Sequence, residues 1–251
     1  MSRWLIPVLA LLVPAGAIAA PSAASENPMV TASHINAQLA VAYLKQNDIA
    51  TAQEKIDKAL TQNAHDPAVQ MSAGLVYERL QQFDKADRFF AEALRLEPRN
   101  PDMINNYAVF QCRRGHYVQG QKLFEQAAKS PSYATPEVAY ANAGVCARSA
   151  KNLPQAEELF RKSLAARSDY PDALLQLADL TFERGAGLAA RGFLDRYFAV
   201  ATATPESLFL ALRVERALGD GQAADRYRSQ LQKEFPNSEQ ARQARSGGSG
   251  E

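Results

Sequence analysis

Histidine and cysteine are the side chains here best suited to hold a metal or attack a substrate, and the chain has three of one and two of the other. His34, His65 and His116 fall near a helix start, in a turn between repeating units and in a turn within one. None has a second ligand-type residue at i+3 or i+4 on the same helix face, the H-x-x-x-H arrangement a zinc site would use. All three are expected to be solvent-exposed structural residues. The stretch GAGLAARG at 185–192 has the glycines of a phosphate loop, yet it follows a helix and no Lys-Ser/Thr closes it. It is expected to be a turn that opens a helix. Neither G-x-S-x-G nor H-E-x-x-H occurs. The expectation is no catalytic residue, no metal, no cofactor and no enzyme.

The ends of the chain point to export. One cation, Arg3, precedes an apolar run from Trp4 to Val13, and Ala17-Ile18-Ala19 forms an A-x-A cleavage pattern. The run is shorter than the ~20 residues a membrane helix needs. Residues 1–19 are therefore expected to be a cleaved signal peptide and the mature protein to be soluble in the periplasm. Removing Arg3 balances 27 basic against 27 acidic residues, so no strong field is offered to nucleic acid or an anionic membrane. Residues 20–32, rich in Ser, Ala and Pro, are expected to be a flexible leader and 239–251 a disordered tail.

What must position any functional side chain is a repeat. A unit numbered from Pro67 places Gly74, Tyr77, Ala86, Phe90, Ala93 and Pro98 at positions 8, 11, 20, 24, 27 and 32. The same types recur 34 residues earlier and later, giving units 33–66, 67–100, 101–136, 137–170, 171–204 and 205–238, with one two-residue insertion before Glu137. Positions 8 and 20 are small because two helices approach to ~8 Å only across small residues. Proline at 32 and at 1 marks a helix end and the next helix start. This is the tetratricopeptide pattern, a helix-turn-helix unit stacked in a right-handed all-α superhelical solenoid. Unit six departs from it: Glu215 and Arg228 hold positions 11 and 24, and are expected to form a polar cap facing water. A buried ion pair between the two is the alternative.

In such a stack the concave wall is lined by positions 2, 5, 9, 12 and 13 of each first helix. Unit one supplies His34, Ala37, Val41, Leu44 and Lys45, unit two Met71, Leu75, Glu78 and Arg79, and unit three Asn105 and Val109. Val41, Leu44, Met71 and Leu75 would form an exposed apolar strip able to seat a partner's apolar side chains. Coverage of that strip by the leader is the alternative. Cys112 and Cys146 lie at positions 12 and 10 of neighbouring units, about 200° apart around their helices, and are expected to pair as a disulfide in an oxidising compartment. Two buried free thiols are the alternative.

The segments NNYAVF (105–110), NAGVCA (142–147), ALLQLADL (173–180) and ESLFLALRVERALGD (206–220) resemble the six-repeat type IV pilus biogenesis and stability proteins, the pilotins of the PilW/PilF family. The resemblance covers the whole mature chain. It implies a periplasmic factor that helps the outer-membrane secretin assemble, stay assembled or reach its membrane, with contact through the N-terminal repeats. It also implies a lipidated cysteine at the cleavage site, where this chain has Ala19-Ala20 and no cysteine before Cys112. No direct lipid anchor is expected, and outer-membrane association would come through the secretin. The other function weighed is a general periplasmic repeat scaffold for a different envelope or polysaccharide assembly complex.

Overall fold

The computed structural model describes residues 28–246, which form thirteen α-helices and no strand. Twelve of them pair in order: α1 (Pro28–Lys45) with α2 (Ile49–Gln62), α3 (Pro67–Arg79) with α4 (Phe83–Leu96), and α5 (Pro101–Arg113) with α6 (Tyr117–Ala128). The second half repeats this with α7 (Pro136–Ser149) and α8 (Leu153–Ala166), α9 (Pro171–Glu183) and α10 (Gly187–Val200), and α11 (Pro205–Ala217) and α12 (Gly221–Glu234). A last helix, α13 (Glu239–Ser246), packs on α11 and α12. The expected signal peptide (1–19), the leader up to residue 27 and the tail from residue 247 lie outside the described residues.

One turn, used six times, makes the pairs. The fifteenth residue of each unit has positive φ: Asn47 (60°), Gln81 (58°), Gly115 (82°), Lys151 (61°), Gly185 (77°) and Gly219 (79°). The N–H after it donates to the carbonyl five residues back, as in Asp48→Tyr43, His116→Gln111 and Asp220→Glu215, each at 2.9 Å. This is the Schellman closure, which satisfies carbonyls orphaned at a helix end. Proline opens α3, α5, α7, α9 and α11 in the first turn, where its missing N–H costs nothing. Asp66 and Asn100 cap α3 and α5 from their side chains, and Thr204 and Ser207 form a capping box on α11.

Packing within a pair explains the small positions. A Cβ on Gly74 would come within 2.7 Å of the Phe90 ring, and one on Gly144 within 2.6 Å of the Phe160 ring. Each phenylalanine is fully buried, so the glycine is what lets it in. Between pairs, polar side chains register one unit on the next. Tyr77 Oη donates to Asp57 at 2.5 Å, while Tyr107 Oη and Gln111 Nε2 both donate to Asp87 at 2.9 Å. Arg191 Nε donates to Glu215 at 2.9 Å, and Arg184 pairs with Glu157.

Three expectations need correction. The leader does not extend to residue 32, because α1 begins at Pro28. Proline suits a first turn, nothing from Met29 onward interrupts the helix, and Asn36 Nδ2 anchors Ala32 O at 2.9 Å. The tail is not disordered from 239. Ala241 and Ala244 of α13 are buried against a cluster holding Leu208, Leu212 and Leu231, so this helix covers the apolar end of the stack. Unit six therefore shows no polar cap facing water, and Glu215 and Arg228 do not pair with each other. Glu215 is 4% exposed because position 11 faces the preceding unit, where Arg191 meets it. Arg228 pairs with Asp225 at 3.2 Å.

Candidate partner-binding surface

The first-helix positions of units one to three do not form the continuous strip their pattern suggests. Ala37 and Met71 are 2% and 6% exposed and belong to the core of the first two units. Position 5 is turned inward, towards the neighbouring first helix. Leu44 and Leu75 are half-buried and rest on the same core, Val41 is half-buried, and Val109 rests on the core of units three and four. Asn105 is also buried, its Oδ1 accepting from Asn142 Nδ2 at 3.2 Å. What remains at the surface is four partly covered apolar side chains, Val41, Leu44, Leu75 and Val109.

Charge borders them. Lys45, Arg79 and Arg113 sit at position 13 of three successive units and all are exposed. Arg79 Nη2 donates to Asn47 Oδ1 at 2.6 Å, and Arg113 meets the largely buried Glu78 at 3.3 Å. His34 is exposed, its Nε2 2.6 Å from Asp66 Oδ2, and His116 Nδ1 lies 2.6 Å from Gln111 Oε1. Among the described residues no group of three His, Cys, Asp or Glu side chains could hold a metal ion.

Two features of this wall escaped the reading from sequence. Arg148 of α7 reaches across to α9 and donates to Gln176 at 3.0 Å and to Asp179 and Glu183 at 2.6 Å each. Burial works against its charge, but the two carboxylates outweigh this and raise its pKa. Arg at position 12 facing acids at positions 9 and 13 of the next unit was the available signal. The second is the outer face of α1, the first helix described. Ile35 and Leu39 are 52% and 39% exposed, whereas Val69 and Ala73, at the same positions of unit two, are fully buried. Those positions face a preceding unit, and α1 is the first helix described.

Cys112 and Cys146 are joined, with Cα atoms 5.6 Å apart, linking α5 to α7. Gly120 of α6 makes room for the bridge, since a Cβ there would overlap Cys112 Sγ.

A solved structure described as PilW, a widely conserved type IV pilus biogenesis factor, is 31% identical to this chain. It superposes with a TM-score of 0.72 over 84% of this chain and 97% of its own. The chain belongs to the PilW/PilF family. The type IV pilus assembly protein PilF of Pseudomonas aeruginosa is 25% identical over 92% of this chain and 94% of its own length. A structure of the P. aeruginosa PilF, 24% identical with a TM-score of 0.72, is covered in full. The tetratricopeptide repeat family model matches residues 68–100, the second unit of the stack.

Proposed function

We propose that this chain is a non-enzymatic, periplasmic protein-binding factor of type IV pilus biogenesis that assists assembly, stability or outer-membrane localisation of the pilus secretin. The observation that carries this reading is similarity to PilW and PilF over most of the length of each chain. The contact surface is the N-terminal concave wall: Val41, Leu44, Leu75 and Val109 as apolar anchors, bordered by Lys45, Arg79 and Arg113. Partly covered anchors with an exposed charged border suit a moderate, reversible interface whose few central residues dominate affinity. The bridge between Cys112 and Cys146 belongs to the same reading, because an oxidising periplasm keeps such a pair closed.

The test is co-purification of the mature protein with detergent-solubilised secretin, comparing wild type with Val41→Asp/Arg79→Glu. Val41 and Arg79 lie outside the fully buried core, so the variant should keep its helical signal. Secretin is expected with the wild type and lost at least tenfold with the variant. Recovery of no secretin by the wild type would refute the partner, and equal recovery by both proteins would refute the surface.

A further inference from the structure

A second groove, of about 600 Å³, lies between α6 and α8 with α7 as its floor. None of its lining residues belongs to the concave wall. Its depth comes from α7 and its C-cap, which present Ala143, Ala147 and Ala150 where α5 and its C-cap have Tyr107, Gln111 and Arg114 and α9 and its C-cap have Leu177, Thr181 and Arg184. Phe124, Tyr140 and Leu159 complete an apolar lining, and Val118 stands 74% exposed at the mouth.

The groove is braced open. Cys146, next to Ala147 on the floor helix, is bonded to Cys112 of α5, and Gly120 of the α6 wall packs on that bridge. Gln121 Nε2 donates to Ala143 O at 2.8 Å, tying wall to floor. A preformed cavity loses less conformational freedom on binding than one that must open. Its border carries three lysines, Lys122, Lys129 and Lys162, against one lining carboxylate, Glu125. Lys129 lies 2.6 Å from Glu125 and Lys162 2.7 Å from Glu158, and among the described residues Lys122 pairs with no carboxylate.

We propose that this groove is a second interaction site, which takes a short acidic amphipathic helix of a partner protein. Apolar side chains of that helix rest on Val118, Tyr140 and Leu159, and its carboxylates meet Lys122 and compete with Glu125 and Glu158 for Lys129 and Lys162. The occupant is a helix because the groove walls are helices whose backbone groups bond internally. An extended segment would find no backbone to pair with, whereas a helix satisfies its own.

The test uses the mature protein and a fluorescein-labelled peptide of about 14 residues, four turns of helix. It carries Leu at i, i+3, i+4 and i+7 and Glu elsewhere. A peptide with Lys in place of Glu, and phosphatidylglycerol vesicles, are the competing probes. The glutamate peptide is expected to bind, with hydrogen-exchange protection confined to α6–α8. Lys122→Glu and Val118→Asp, both at exposed positions, should each weaken it about tenfold, and added salt should weaken it further. Failure of the glutamate peptide to bind, equal binding of the lysine peptide, unchanged affinity in both variants, or preference for vesicles would each overturn the proposal. Val41→Asp/Arg79→Glu should leave this binding intact, and loss there would merge the two sites.

Discussion

At position 15 the same left-handed backbone is built from unequal residues. Glycine adopts it freely, asparagine tolerates it, but Gln81 and Lys151 hold φ of 58° and 61° against the clash of Cβ with the backbone. Gln81→Gly and Lys151→Gly should therefore each stabilise the fold by about 0.5–1 kcal/mol, after glycine's greater freedom in the unfolded chain is subtracted. Chemical denaturation of the single variants checks this, and a lowered midpoint would contradict it. The opposite sign applies at position 8. Gly144→Ala puts a methyl 2.6 Å from a fully buried phenylalanine ring, and should cost about 1–3 kcal/mol. Tyr107 gives a pH-dependent case. Burial first, then its bond to Asp87, pushes its phenol up to about 12. The folded state thus holds the proton more tightly than the unfolded chain, whose phenol titrates near 10. That stability is whole below about pH 10 and is lost as pH rises towards about 12. Tyr107→Phe should flatten this alkaline loss, measured as denaturation midpoint against pH.

Helices and their junctions carry the next level. The unit three to unit four connection, 129–135, has seven residues where the other inter-unit connections have four, and it is here that the covalent link falls. Closing a loop of about 35 residues stabilises by roughly 4 kcal/mol in the chain-entropy model. Reduction, or Cys112→Ser with Cys146→Ser, should lower stability by about 2–4 kcal/mol while leaving helix content nearly unchanged. Thiol labelling of denatured, unreduced protein isolated from cells should find none reactive, and two reactive thiols per chain would refute the pairing in the cell. Gly120→Ala should act on the same bond from another helix, since its methyl would occupy the sulfur's place. Gly120→Ala protein isolated from cells in the same way is expected to show a labelled fraction that wild type lacks.

For the molecule as a whole, the two ends of the stack differ. The C-terminal end is covered by α13, whereas among the described residues Ile35 and Leu39 of α1 are exposed. In a linear array each unit is stabilised by its neighbours, so removing a cover loosens the nearest unit first. A chain ending at Ser238 would bare the cluster of Leu208, Leu212 and Leu231, and hydrogen exchange should accelerate in α11 and α12 before it changes in α3 to α6. Uniform acceleration along the chain would show that the stack unfolds as one block.

The period, the small helix-crossing residues, the proline boundaries and the repeat class were all legible in the amino-acid order. Each is a contact within a unit or between successive units, and a 34-residue spacing records it directly. The same geometry placed Cys112 beside Cys146. What the order could not show is which way a side chain turns when two neighbours compete for it. Met71 went to the core because the adjoining first helix offered it apolar cover, which thinned the expected strip. Glu215 turned back to Arg191, a partner 24 residues away, rather than out to water. The polar composition of α13 suggests a loose tail, and only the bare end of α11 and α12 gave its two alanines something to cover. The groove over α7 likewise exists only in three dimensions. It is the space that three alanines leave when the helices on either side are held apart, and no single segment of sequence contains it.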